Sequence, residues 1–450
     1  MRVLLPLSPS IVPLLALSLA LLPCALVAQP NLTPGATQAE SVLIVGATAH
    51  LGTGDVIEDA AIGFSDGVFN FVGRRFAVDL KRYVRVIEAH GAHIYPGFIA
   101  PNSTLGLMEV AAVRATVDFD EVGTFNPHVR SLIAYNASSD ITPTVRTNGV
   151  LLGQITPRGG TISGTSSVVH FDAWNWEDAV VSEDDGLHLN WPSTHHKHRK
   201  DGKMTIGRQK SYDQRLTEIT NYFERARAHH LSSNPPLTDL PMRAMSGLFA
   251  SGDSPGSQTL FVHAQDAKQI AEIIRFKRAM NLDRVVLVGG QDSWMLADPL
   301  RENNIAVMLL RTHSVPRYDE DDVDLCYRLP ALLEAEGVQY CIQGEGRMPE
   351  MNTRNLPFFA GTAVAYGLEY EQGVRALTLS TARILGIEST CGSIEQGKRA
   401  ILFISSGDAL DMRTNDVTHA WIDGRQVVLD NKQIQLYEKY KAKYDAQPQY

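Results

Sequence analysis

The chain has 450 residues, 44% of them apolar and 20% charged, with a formal net charge of −9. That length supports one large domain or two medium ones with a full-sized core. The acidic balance excludes a nucleic-acid partner, which needs a concentrated basic face; the one strongly basic run, His195–Lys200 (HHKHRK), is too short for that role.

The first 28 residues read as a secretory signal peptide. Arg2 carries a positive charge, Ile11–Leu22 is an apolar run, and small residues stand at Ala25 and Ala28. A retained N-terminal anchor is the alternative. Cleavage implies a periplasmic or secreted protein, and no later segment is apolar for long enough to span a bilayer. Cys326, Cys341 and Cys391 then remain, odd in number and without a CxxC pair, so they read as buried thiols.

Residues 29–40 (QPNLTPGATQAE) read as a linker. From Ser41 the texture is β: SVLIVGAT is a strand, Ala60–Gly73 is a hairpin around a Ser-Asp-Gly turn, and a strand-rich stretch ends at Pro96-Gly97. Gly and small hydroxyl residues fill Pro157–Glu177, which reads as a loop, a strand and a helix anchored by Trp174 and Trp176. Its alternative role is a loop lining a site or an interface, with tryptophan anchoring a partner. His195, His196 and His198 sit in an apparent loop and read as opportunistic metal binders at most.

Regular alternation begins at Thr259–Gln265, a short buried strand. A helix is expected over Asp266–Asn281, a strand over Asp283–Gly290, a helix from Asp292, a strand over Asn304–Leu310, and a helix stopped by Gly337 before the strand VQYCIQ. Continuous apolar strands alternating with helices imply a parallel sheet, and repetition over this length suits a (β/α)8 TIM-like barrel, with an open doubly wound sheet as the alternative. The texture returns to β at KRAILFIS and at His419–Val428. Residues 41–95 and 396–430 are therefore expected to pair into one small composite β-sandwich domain beside a barrel of residues 96–395. Residues 431–450 read as a C-terminal helix and tail.

Pro96-Gly97, Ala376–Ile387, Gly392–Ile404 and Ile422–Val427, in this order around a long α/β middle, resemble the metal-dependent amidohydrolase superfamily, in its imidazolonepropionase-like branch. The resemblance covers nearly all of residues 41–430 and is weakest between Asn126 and Asp239. It implies hydrolysis of non-peptide C–N bonds by a metal-activated water. It also implies ligands at strand ends: a His-x-His on the first strand, one His on each of two later strands, and a final Asp. Zinc is implied by the resemblance only; no cofactor follows from the residues themselves.

In this chain Asn102 and Thr104 stand where the resemblance implies the His-x-His pair. His263 matches the next histidine. Gly289-Gly290 takes the place of the fourth, and a permissive strand-to-helix turn accounts for that pair. Glu345 falls near the final Asp, either as a proton shuttle (the catalytic candidate) or as a solvated loop residue. Arg114, Asp118, Asp120 and Glu121 read as a solvated charged loop, with binding of a polar ligand at the mouth as the alternative. Three functions stay open: a non-catalytic barrel whose pocket (Asn102, Thr104, Gly289, Gly290) binds a small molecule or which pairs with itself or with an active relative; a hydrolase with a site rebuilt around His263 and Glu345; and an interaction protein using Trp174/Trp176.

Overall fold

The computed structural model describes residues 33–200, 203–234, 236, 238–250, 256–346 and 348–446, with only the backbone of those between 196 and 206. The signal-peptide expectation lies outside the described residues.

Five strands open the fold: β1 (Val42–His50), β2 (Val56–Ser65), β3 (Val68–Arg74), β4 (Arg85–Glu88) and β5 (His93–Pro96). The Ser65-Asp66-Gly67 turn forms as expected, with φ of +53° at Asp66 and +79° at Gly67. The 29–40 linker is seated where it is described. Gly35 N donates to Asp172 Oδ2, and Gln38 bridges Phe64 O and Gly67 N.

The barrel wall begins with β6 (Phe98–Ser103). A long excursion follows, containing the short α1 (Thr142–Arg146), then β7 (Val150–Ile155), β8 (Ile162–His170) and β9 (Val180–Asn190). The hairpin β10 (His195–Lys200) and β11 (Lys203–Arg208) comes next, then α2 (Tyr212–Leu231) and α3 (Leu240–Ala244). The second half alternates regularly: β12 (Thr259–Ala264), α4 (Ala267–Met280), β13 (Val285–Gly289), α5 (Ala297–Glu302), β14 (Ile305–Leu309), α6 (Leu325–Ala335) and β15 (Tyr340–Ile342). Helices α7 (Pro349–Asn352), α8 (Leu356–Ala365), α9 (Tyr370–Leu377) and α10 (Leu379–Leu385) lead back to β16 (Leu402–Ser405), β17 (Val417–Ile422) and β18 (Arg425–Gln426). Helix α11 (Lys432–Asp445) follows.

The wall is one eight-stranded sheet in the order β15-β14-β13-β12-β9-β8-β7-β6. Ladders β6–β7, β9–β12, β12–β13, β13–β14 and β14–β15 are parallel, whereas β8 pairs antiparallel with both β7 and β9. A TIM-like barrel is therefore present, but β7-β8-β9 is a meander where a strict (β/α)8 repeat would place crossover helices. The physical reason is connection length. Only short links join β7 to β8 and β8 to β9, and such links suit antiparallel neighbours, not parallel ones.

The predicted elements of the second half appear with their caps. Asp266 and Gln269 form a capping box on α4, and Asn281 ends that helix at φ +52°. The helix expected from Asp292 starts as a single 3-10 turn, Ser293–Leu296, and becomes α-helical at Ala297 with Pro299 in its first turn. Strands β13 and β14 are buried along their whole length, as a sheet covered on both faces requires.

The two chain ends build one sheet, as expected, in the order β18-β17-β16-β5-β1-β2-β3 with β4 on β1. It is a single continuous sheet, not two separate ones. Its main apolar cluster joins Ile44, Ile62, Phe64 and Phe69 to Leu402, Ile404 and Trp421.

Two further expectations change. The segment after β8 is a tight turn, not a tryptophan-anchored helix: Asn175 Oδ1 caps Asp178 N, and Asp178 Oδ2 caps Trp174 N. The 195–200 run is strand β10, not a loop.

Candidate functional site

Barrel sites lie at the carboxyl ends of the parallel strands. That mouth is ringed here by the ends of β6, β7, β9, β12, β13, β14 and β15, and the sequence-predicted residues converge on it. Asn102 closes the wall. It sits in a bulge of β6, where the β6–β7 register shifts between Ala100 and Ser103, and its φ is +50°, a conformation asparagine tolerates. Its Nδ2 donates to Gln343 Oε1 beyond the end of β15, so a side-chain bond joins the two terminal strands of the sheet. Gln343 Nε2 in turn donates to Met308 O.

Thr104 donates its hydroxyl proton to the buried Glu350 of α7. Gly289 and Gly290 have φ of +105° and +59°. A Cβ on Gly289 would collide with Gln265 Nε2, so the place of a side chain there is filled by the Gln265 amide. Backbone conformation and close packing thus both favour glycine, in line with the turn reading.

Glu345 accepts from Arg158 Nη2, which also donates to Asn102 O at 2.9 Å. It is therefore an ion-paired residue, not a solvated loop carboxylate. Arg158 follows β7 and lies in the Pro157–Glu177 stretch. That stretch divides: Arg158–Gly160 borders the mouth, whereas Trp174 and Trp176 follow the far end of β8, at the opposite rim. Trp174 is 65% exposed and Trp176 packs against the barrel core. Arg114 and Asp120 form a loose exposed pair 3.6 Å apart, beside the mouth loop.

His263, near the end of β12, joins a chain that sequence reasoning missed. Its Nε2 lies 2.9 Å from His188 Nδ1 on β9. His188 Nε2 lies 2.9 Å from Ser166 Oγ, and that hydroxyl donates to Asp185 Oδ1 at 2.7 Å. Gln154 Nε2 reaches both Ser166 Oγ and Asp185 Oδ2. His188 stacks on Phe261, with ring centroids 4.8 Å apart. Burial, then the charge of Arg158, pulls the His263 pKa down to about 3. Burial, with His263 and Arg158, holds His188 well below the usual histidine range. Both rings are therefore neutral near pH 7. Burial pushes the Asp185 carboxyl up to about 7 despite its bonds to Ser166 and Gln154. His188 carried a usable signal, a lone histidine near the end of the strand GLHLN, as in LFVHAQ; it lies in the stretch where the family resemblance is weakest.

These residues do not suit the metal that the fold family implies. Asn102 and Thr104 offer an amide and a hydroxyl, already engaged, and Gly289-Gly290 offers no side chain. Catalytic zinc normally takes three protein ligands from His, Cys and carboxylates. Among the described residues no group of three His, Cys, Asp or Glu is placed to hold an ion.

Comparison of the whole fold with solved structures gives matches over most of the chain. An amidohydrolase from Thermotoga maritima superposes with a TM-score of 0.72, at 24% identity, over 86% of this chain and 99% of that one. The fold is amidohydrolase-like. A Xaa-Pro dipeptidase with bound methionine in its active site matches with a TM-score of 0.52 at 13% identity, over 86% of this chain and 99% of its own. A molinate hydrolase matches with 0.51 at 12%, over 87% and 95%. No protein-family model and no curated protein matches the sequence. The polar residues at the mouth of this amidohydrolase-like barrel are tied to one another.

Proposed function

We propose that this chain is an exported amidohydrolase-like barrel whose metal site has been replaced by a hydrogen-bonded polar floor, and that it binds a small molecule or a protein partner instead of hydrolysing a substrate through metal-bound water. One observation carries the reading: both residues at the position where the resemblance implies His-x-His already have side-chain partners, Asn102 with Gln343 and Thr104 with Glu350. The Gln265 amide in the space beside Gly289 supports it. Export belongs to the same proposal and rests on the sequence of residues 1–28. Among the described residues, no helix is long and apolar enough to cross a membrane.

The test is the metal content of the purified, tag-free protein by elemental mass spectrometry. Less than about a tenth of an ion per chain is expected. One or two tightly held ions would overturn the reading. They would favour the second one, a hydrolase of non-peptide C–N bonds with a rebuilt site. Two observations support that alternative: Arg158 pairs with Glu345, and the same guanidinium lowers the His263 pKa after burial.

A further inference from the structure

The chain from Asp185 to His263 has a direction, and that direction fixes which atom the mouth presents. Gln154 cannot turn over, because its Oε1 accepts Asn102 N–H at 3.0 Å. Its Nε2 must therefore face Asp185 Oδ2 and Ser166 Oγ, and donates to both. The Ser166 hydroxyl is fully buried and has one proton. With Asp185 ionised, that proton goes to Oδ1, the nearest acceptor. Ser166 can then only accept from His188, so His188 carries its proton on Nε2 and leaves Nδ1 bare. The bare Nδ1 requires a proton on His263 Nε2. In a neutral ring this leaves His263 Nδ1 as a lone pair. No described residue bonds that atom, and the residue is only partly buried.

We propose that Asp185 is a positioning residue that acts through Ser166 and His188 to make His263 Nδ1 a hydrogen-bond acceptor at the barrel mouth, so that a ligand bound there presents an N–H or O–H donor to it. This rests on the ligand-binding reading above and deepens it. Asp185→Asn reverses the chain. Gln154 holds the carbonyl of the substituted side chain toward itself, so the new amide N–H faces Ser166. The hydroxyl then donates to His188 Nε2, His188 Nδ1–H donates to His263 Nε2, and His263 Nδ1 carries the proton. Protonating Asp185 on Oδ1 has the same effect. The charged groups concerned are Arg284 near Asp185, and Arg158 near the two histidines.

The test is the tautomer of His263 in the full chain labelled with nitrogen-15 histidine, read from long-range proton–nitrogen correlations at about pH 8.5. His263→Gln identifies the signal, and the metal content of the same sample is measured first. The wild type is expected to show both His188 and His263 protonated on Nε2, and Asp185→Asn to move both protons to Nδ1. Ser166→Ala should leave His263 a mixture. A wild-type His263 protonated on Nδ1, or an Asp185→Asn spectrum with the tautomers unchanged, overturns the inference. If Asp185→Asn does not fold, the wild type at about pH 5.5 decides in its place, with reversal expected. A metal-free protein with unchanged tautomers sinks this inference alone, whereas tightly bound metal sinks the function proposed above.

Discussion

The two halves of the barrel wall are made of different material. From β12 to β15 the strands are apolar along nearly their whole length, and each is parallel to the next. From β6 to β9 the wall contains a meander whose middle strand, β8, is wholly buried yet carries Ser163, Thr165, Ser166 and Ser167. Every one of those hydroxyls is bonded, to Gly159 O, Val129 O, Asp185 and Asp184 N respectively. The apolar half is held by removing surface from water, which depends on area and tolerates many sequences. The polar half is held by partner-by-partner satisfaction, which fails when one member is lost. It also carries the Asp185–Ser166–His188 part of the mouth network, to which the apolar half adds His263 and, beyond β15, Gln343, Glu345 and Glu350.

The sharpest contrast comes from truncating one residue in each half. Leu287→Ala in β13 removes a fully buried side chain and leaves a cavity, so about 2–5 kcal/mol should be lost in denaturant unfolding. Ser166→Ala removes little volume but strands the His188 N–H, and about 1–3 kcal/mol should be lost. If Ser166→Ala proves neutral, β8 is held by packing and the comparison collapses.

The pH dependence sharpens the same point. The folded-state pKa of Asp185 is raised to about 7 by burial, against about 3.9 in an unfolded chain. The folded state therefore binds this proton more tightly. Its contribution favours folding at low pH and is lost as the pH rises through about 7. Asp185→Asn removes that dependence, so the Tm of the variant relative to wild type should climb between about pH 5 and pH 8. A flat difference would mean the carboxyl is solvated.

A smaller change is expected when histidines are placed at positions 102 and 104. Asn102→His with Thr104→His should still bind no zinc tightly by elemental analysis, because Gly289 supplies no ligand and Gln265 fills its space. Tight zinc binding by this double variant alone would break the assignment of the β13 position. The smallest effect belongs to Trp174→Ala, within about 0.5 kcal/mol of wild type by thermal unfolding, as the side chain is largely exposed.

Much of the apolar half was legible in the sequence. Asp266 and Asn281 mark both ends of α4, and Val285–Gly289 reads as a buried strand because apolar periodicity and caps are local signals. The composite sheet was legible too, since both chain ends show strand texture. A strand was expected within Pro157–Glu177, but neither its antiparallel pairing nor its extension through the hydroxyl-rich run was legible, because the sequence does not show that Ser131, Asp184 and Asp185 are there to bond it. Among the site residues, Asn102, Thr104, Gly289 and His263 could be named because they fall at strand ends where the amidohydrolase resemblance implies ligands.

Their partners could not. Gln343 meets Asn102 across 241 residues of chain, and Glu350 meets Thr104 across 246. The sequence by itself determined the alternation of elements in the second half and the strand ends, since each depends on neighbours a few residues apart. Only the tertiary structure decided that the wall contains a meander, that Asn102 and Thr104 are engaged, and that a directed chain links Asp185 to His263. Hydrogen bonds of buried polar groups are completed across the barrel, between residues whose proximity exists only once the sheet has curled.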